Sequence, residues 1–404
     1  MTATLEDMKK AEAVSKASIT ASAAAWLEAL TIARHALSKR PVVPVLGCVL
    51  IEATSTRTML HTNNYEASIS VEVVDAVSEP FEALLPIVHL IDTIKAITTD
   101  KTSEVTLTLL DFLDRKIALV ASESFKYPIV MHHSIEEFPR FTAPTGPAAF
   151  SIAAEALRST IKRTAVASSK DRTLPILTSL HFSSSSADST LHVEATDRYR
   201  VAAVREPAYV RSDVDFILDF ELLLKLVPKM RQKQPVSFVV DDTFERDVSV
   251  KIIFERFSLS VRCVSGDYPK LAKLWSDEYA NNFTVSRSAL MHSALVAQRL
   301  SLRNTPCTFE LLGDRLRLRP NRDGLDSVSA GMLEVPSIAL APRTSDRIDF
   351  AVNPVYLLDA LKLIEGDVVT ISFNSVVKPF VFSASGTSAD EPFRYLLMPV
   401  RYPS

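Results

Sequence analysis

The sequence predicts an α+β chain of three repeated domains, and three observations carry that prediction. First, EALLPIVHLIDTIKAI from Glu82, DFILDFELLLKLVPKM from Asp215 and IDFAVNPVYLLDALKLI from Ile348 each read as a short strand running into an amphipathic helix. Pro86, Asp219 and Asn353 hold equivalent places at or just before the helix start, 133 and 134 residues apart, where a fixed φ or a capping side chain is useful. Second, upstream of each lies a set of alternating strands around a polar turn: GCVLIEATSTRTMLHTNNYEASISVEV, SLHFSSSSADSTLHVEATDRYRVAAVRE and TFELLGDRLRLRPNRDGLDSVSAGMLEV. Third, each unit opens with helical periodicity, in AAAWLEALTIARHAL, AAEALRSTIKRTAVA and SALMHSALVAQRL. It closes with strands, in KIALVASESFKYPIV, VSVKIIFERFSLSVRC and KPFVFSAS followed by RYLLMPVR.

The unit is therefore helix, strands, helix, strands. It pauses at EEFPRFTAPTGPAAF, with Pro139, Pro144 and Pro147, and again at SGDYPKLAKLWSDEYANNF. These pauses predict a first domain over 18–143, a second over 144–275 and a third over 276–404. Residues 1–17 belong to no repeat and read as an extension.

Composition narrows the function. With 47% hydrophobic and 23% charged residues the chain can build real cores. Its net charge of −3 means that any nucleic-acid role must come from a local cluster of Lys and Arg. Cys48, Cys263 and Cys307 show no metal or redox spacing and read as buried free thiols. No GxGxxG or GxxxxGK loop is present, so the usual phosphate cradles are missing and no cofactor is implied. The histidines form no HExxH or HxH cluster; His132 and His133 read as surface residues of a polar loop near Pro128. No apolar run reaches the roughly 18 residues of a membrane helix, and MTATLEDMKKAEAVSKAS lacks the apolar core of a signal sequence, so a cytoplasmic protein is expected.

One stretch concentrates charge. ATDRYRVAAVRE, Ala195 to Glu206, reads as a strand after a Thr-Asp turn, with Arg198 and Arg200 on one face and Tyr199, Val201 and Ala203 on the other. A catalytic role would need a nucleophile with a base, or paired carboxylates, and neither is signalled. Asp197 beside two arginines reads as a charge-paired turn.

RPVVPVLGCVLIEA, TDRYRVAAVRE, GDYPKL and the C-terminal YLLMPVR occur in one order along the chain, and together they resemble the beta subunit of bacterial DNA polymerase III, the replicative sliding clamp. The resemblance runs from about Ile19 to Tyr402. It implies the DNA clamp fold, with helices on the inner side of each domain and antiparallel sheets outside. Two chains would join head to tail in a ring around duplex DNA, as a non-catalytic processivity factor for the replicative polymerase.

Of the helix-borne cations Arg34, Lys95, Arg158, Lys162, Arg163, Lys225, Lys229, Arg231, Arg299 and Lys362, those facing the hole would hold phosphates without reading bases. Lys39, Arg40, Lys170 and Arg172 lie where the resemblance places DNA-facing loops. Ser124, Phe125 and Lys126 would pair across the dimer with residues near Gln298, Arg299 and Leu300.

The resemblance also implies a groove that takes a short peptide from the polymerase, the clamp loader and other clients. Leu177, Thr196, Arg198, Tyr199, Arg200 and Val201 would build one side, with Pro269, Lys273 and Leu274 from the second linker. Val376, Lys378 and Pro379 would complete it together with Leu396, Leu397, Met398, Pro399, Val400 and Arg401. Leu, Val, Met and Pro suit apolar anchors, and Arg198, Arg200, Lys273 and Arg401 suit the peptide backbone or acidic side chains.

Two departures from the family pattern stand out. Ile87, Val88, His89, Phe220 and Glu221 occupy places where basic residues often follow the turn, and Tyr402 takes a place that is often aliphatic. They keep open a clamp-like paralogue with altered clients. A metabolic enzyme using the arginines as an anion site is the remaining alternative, and it lacks the phosphate loop or acid-base pair that would mark it.

Overall fold

In a computed structural model, the fold is described over residues 17–400, apart from 39, 113–114, 124, 231–233, 243–247, 303–304, 314, 321–332, 341–346 and 385–391. Among the described residues the helices are α1 (Ala23–Ala33), α2 (Ile87–Ile97), α3 (Ala154–Ala165), α4 (Glu221–Leu226), α5 (Arg287–Leu300) and α6 (Pro354–Leu363). All three strand-to-helix segments are present: Phe81–Pro86 enters α2, Val214–Leu218 enters α4 and Arg347–Val352 enters α6. Their starts follow from local chemistry. Asn353 accepts from the Val355 amide at 2.9 Å with Pro354 at the first helical position, and Pro86 occupies the cap of α2. Helix α4 is shorter than its apolar pattern suggests, because Pro228 has no amide hydrogen to donate and the chain tightens into a 3₁₀ turn over Val227–Lys229.

The chain packs as two compact units, residues 1–154 with 221–263 and residues 155–220 with 264–404. The first unit holds two antiparallel sheets. One runs in the order Val77–Ser78, Ser18–Ser22, Glu104–Phe112, Arg115–Ala121, Lys126–Val130. The other includes Phe150–Ile152, Val236–Asp241, Ser249–Ile253, Phe257–Arg262, Ala67–Glu72, Thr58–Asn63, Cys48–Ala53 and Phe81–Pro86, in that order. Phe257–Arg262 pairs with Ala67–Glu72, so strands of two successive repeats form one ladder and neither leaves an edge at the junction. Trp26 of α1 is fully buried in this unit and donates its indole N–H to the Val105 carbonyl at 3.2 Å.

The second unit contains a 12-stranded sheet in which Arg200–Pro207, the fourth strand, pairs with Phe393–Leu397, the fifth, again from different repeats. Its strands show both burial regimes. Leu180–Ser185 alternates buried and half-buried positions, while Val368–Phe373 is buried on both faces after its first residue. Phe350, Phe373 and Phe380 pack ring on ring at 4.3 Å (Phe350 with Phe380) and 4.4 Å (Phe373 with Phe380) beneath α5 and α6, which pack against each other.

All three cysteines are free; Cys48 and Cys307 are buried and Cys263 is half-buried, a correction to the uniform burial expected of them. Burial raises the Cys48 thiol to about 11, helped by Glu137, and raises Cys263 and Cys307 to about 12. The thiolate is the reactive form, so at neutral pH the folded chain should react slowly with a thiolate-directed reagent. Unfolding in denaturant should expose all three equivalents at once. Rapid reaction of the folded protein would show that the thiols are not shielded.

Candidate binding groove

The second unit brings the residues of TDRYRV, GDYPKL and YLLMPV together. Antiparallel register sets Arg200 opposite Leu397 and Val201 opposite Leu396, and the Met398 amide extends the ladder by donating to the Tyr199 carbonyl at 2.8 Å. Below Met398 lies a buried cluster of Val201, Leu271, Val381 and Leu396, flanked by half-buried Tyr268, Trp275 and Tyr279. In or beside the same segments, and in the loop before Phe380, Tyr199, Leu274, Val376 and Val400 expose apolar surface, and the cations of Arg198, Lys273 and Lys378 are also exposed. An apolar strip with a basic rim can seat hydrophobic anchors and hold the acidic or carbonyl groups beside them.

Several expected groove residues lie under that strip instead of on it. Leu396 and Leu397 are fully buried, and Val201, Thr196 and Leu177 are nearly so. Strand side chains alternate between faces, but these strands are central in a wide sheet and buried on both sides. Met398, Pro399 and Pro379 are half-buried, Pro269 is exposed, and Arg401 and Tyr402 lie outside the described residues.

The arginine-rich stretch also differs from the period-two reading. The strand ends at Thr196 and resumes at Arg200, with Arg198 in a left-handed turn at φ 77°. Asp197 makes that turn: its Oδ1 accepts from the amides of Tyr199 at 3.0 Å and Arg200 at 3.1 Å. Arg198 and Arg200 therefore do not share a strand face. Arg200 is 5% exposed, and its guanidinium donates to Asp197 Oδ2 at 2.9 Å, Asp359 Oδ2 at 2.7 Å and Tyr395 Oη at 3.3 Å. It also stacks 4.2 Å from the Tyr356 ring centroid. Burial opposes its charge, but Tyr395, Asp359 and Asp197 hold its pKa above the ordinary arginine value. Arg200 thus fastens the turn to α6 and has no guanidinium face turned to the rim.

Gly266 of the SGDYPKL segment is at φ 130°, and a Cβ there would come within 2.7 Å of Ile176 Cδ1. Glycine lets this segment approach Ile176 closely. The contributions of Tyr268, Trp275, Tyr279, Tyr356 and Asp359 were not legible as site residues in the sequence. Trp275 in addition carries the Arg394 guanidinium 4.4 Å above its ring. Tyr356 and Asp359 are distant in the chain from Arg200, which they hold, and only the aromatic richness of DYPKLAKLWSDEY could have signalled the others.

The basic positions divide. Arg40, Lys95, Lys162, Lys170, Arg172 and Lys229 are exposed, whereas Lys39 and Arg231 lie outside the described residues. Arg158 pairs with Glu155 at 2.9 Å on α3. Arg163, expected to face DNA, is ion-paired with Glu365 and lies over the Phe393 ring at 5.5 Å, with its side chain 16% exposed. In the first unit His35 has its pKa lowered by burial and then by the charges of Lys225, Lys229 and Arg34, which marks a local concentration of positive charge in an acidic chain. Phe125, Lys126, Arg299 and Leu300 are exposed, Gln298 is half-buried, and Ser124 lies outside the described residues. His133 pairs with Glu137 at 3.0 Å, and among the described residues no group of His, Cys, Asp and Glu is gathered to hold a metal. No helix there is long and apolar enough to cross a membrane.

Three family models match in chain order: the N-terminal domain of the DNA polymerase III beta subunit over residues 18–141, the central domain over 151–270 and the C-terminal domain over 330–401. The beta sliding clamp of Streptococcus pneumoniae R6 is 27% identical over 390 residues, covering 93% of this chain and 97% of its own. Crystal structures of the beta subunit from Streptococcus pyogenes (22% identical, TM-score 0.79, covering 95% of this chain and 100% of that one) and of the Bacillus subtilis sliding clamp (19%, 0.80, 96% and 100%) share the fold. Modules of one family, in order along nearly the whole chain, define a clamp-type replication subunit. The chain belongs to the DNA polymerase III beta subunit family; it is a DNA sliding clamp, a non-catalytic processivity subunit.

The buried position of Arg200 has a measurable consequence. Arg200→Ala strands Asp359 and Asp197 and should lower unfolding stability by about 3 kcal/mol, while Tyr199→Ala, largely exposed, should cost less than about 1 kcal/mol. Equal small losses in denaturant titrations would return Arg200 to the rim.

Proposed function

We propose that this clamp encircles duplex DNA as a head-to-tail homodimer and holds its clients by a short peptide seated in the groove over Met398. The single observation that carries the docking reading is that Met398 and the Leu271–Leu274 turn meet at one apolar cluster, with Leu274, Val376 and Val400 exposed and the cations of Lys273, Lys378 and Arg198 exposed as well. An exposed strip of this kind, built on a rigid sheet, suits an extended peptide with aliphatic or aromatic anchors. Burial of about 200 Å² of apolar peptide surface contributes about 5 kcal/mol at roughly 25 cal/mol/Å², and the roughly 8 kcal/mol of a micromolar site also requires the polar bonds that the basic rim makes to the peptide. The clients are the replicative polymerase, the clamp loader and other proteins that carry such a motif.

Closure of the ring is supported by what the chain leaves exposed. Lys126–Val130 ends its sheet with Phe125 63% exposed beside it, and α5 ends with Leu300 44% exposed. Open strand edges and apolar side chains of this kind favour a second copy as cover. The domain limits 18–143, 144–275 and 276–404 and a cytoplasmic location belong to the same reading. DNA contact is electrostatic and indifferent to sequence. It draws on Arg34, Lys225 and Lys229 near His35 and on exposed Lys162.

Two measurements test the proposal. Light scattering should give a dimer, and calorimetry with a peptide carrying a Gln, a Leu and an aromatic anchor should give micromolar binding that Met398→Ala and Leu274→Ala each weaken by about tenfold, about 1.4 kcal/mol. Both changes leave Leu396 and Leu397, which belong to the core, untouched. Unchanged affinity in both variants would remove the groove.

For DNA, Arg34→Ala, Lys162→Ala and Lys229→Ala together should flatten the dependence of log affinity on log salt by about 0.9 for each cation that contacts phosphate. An unchanged slope would show that these side chains do not meet the DNA.

A further inference from the structure

His181 stands between two carboxylates. Its Nδ1 is 3.1 Å from Glu194 Oε1 and its Nε2 is 3.0 Å from Asp215 Oδ1, so both ring nitrogens face acceptors. The side chain is 14% exposed, against 23% for Glu194 and 75% for Asp215. Its ring stacks on Tyr268, with centroids 4.7 Å apart and planes 18° from parallel. The Tyr268 hydroxyl reaches the Glu194 carbonyl at 3.5 Å, and the Tyr268 ring packs on the cluster that holds Leu271 and Met398. Tyr268 therefore joins a charged triad on one sheet face to the Pro269–Leu274 wall of the groove.

A neutral imidazole carries one N–H and one lone pair, so it can satisfy only one of these two carboxylates; the imidazolium donates to both. We infer that His181, as an imidazolium held by Glu194 and Asp215, is a positioning residue for the groove, fixing the ring on which Tyr268 stacks and so seating the Pro269–Leu274 wall. This rests on the peptide-docking reading above and adds a pH dependence to it. Burial works against the charge, but the bonds to Glu194 and Asp215 outweigh it, and the ring titrates above the ordinary histidine value of 6.5. The sign follows. The seat is complete below the ordinary value and is lost as pH rises through the raised one, so peptide affinity falls on the alkaline side. On the same face of the neighbouring strands stand His192, Arg205 with its partner Asp188, and Arg394, which sits over Trp275, while the register turns Arg200 and Glu206 to the opposite face. Burial, the first cause, and Arg205 lower the pKa of His192, which places its titration on the acid side of this transition.

The test follows His181 and Tyr268 ring signals by NMR through a pH titration, with calorimetry of a His-free and Cys-free anchor peptide on the full chain at the same pH values. The His181 midpoint should lie above 6.5, the Tyr268 signal should move with it, and affinity should fall by roughly threefold to tenfold across that midpoint. Asp215→Asn, at an exposed carboxylate, should lower the midpoint and carry the affinity transition down with it. His181→Phe, which keeps a ring on Tyr268, should bind peptide with no transition. A His181 midpoint at or below the ordinary value, or peptide affinity that is flat while His181 titrates, overturns the inference. Peptide binding absent at every pH would overturn the groove reading itself and this inference with it, a result distinct from binding that is present but insensitive to pH.

Discussion

Antiparallel pairing of Arg200–Pro207 with Phe393–Leu397 is the contact on which the second unit depends. It joins strands of the second and third repeats into one 12-stranded sheet and removes two edges that would otherwise be open to aggregation. Because the pairing continues for one further bond, from Met398 N–H to the Tyr199 carbonyl, it also brings the end of YLLMPV beside the turn of TDRYRV. The proposed groove would thus follow from sheet continuity, with a paired ladder beneath it.

Charge reinforces the same junction. Arg200 lies in the paired strand, Tyr395 in the strand opposite, Asp197 in the turn before and Asp359 in α6, so one guanidinium ties together four pieces of chain. Burying an arginine is costly unless acceptors replace its water, and here two carboxylates and a phenol accept from Nε and Nη1. The cations left exposed for the proposed docking are Arg198, Lys273 and Lys378. A comparable economy holds in the first unit, where Phe257–Arg262 completes the sheet of Ala67–Glu72 and the cations of α4 and the 3₁₀ turn after it collect near His35.

The repeat was legible because apolar spacing reports a strand-to-helix passage directly, as at Phe81–Ile97 and Arg347–Leu363. Local chemistry limited the rest. Arg198 fell into the predicted strand because periodicity cannot see the Asx turn made by Asp197. Leu396 and Leu397 looked like groove floor because a sequence reports apolar character without saying which face another layer covers. Met398 is half-buried and Leu274 and Val376 are exposed, in agreement with their place in the proposed groove, because Met398 follows the last residue of its strand and the other two lie in turns between strands. Tyr356, Asp359 and Tyr268 come from far along the chain, and no local pattern ties them to ATDRYRVAAVRE.

Hydrogen exchange of the full chain, with and without an anchor peptide, tests most directly whether this junction is a docking site. The account predicts new protection confined in the second unit to segments containing Tyr199, Leu271–Trp275, Val376 and Met398–Val400, on top of a paired Arg200–Pro207 ladder that exchanges slowly in both states. Peptide-dependent protection elsewhere with none at these segments, or a ladder that exchanges as fast as the loops, would contradict it.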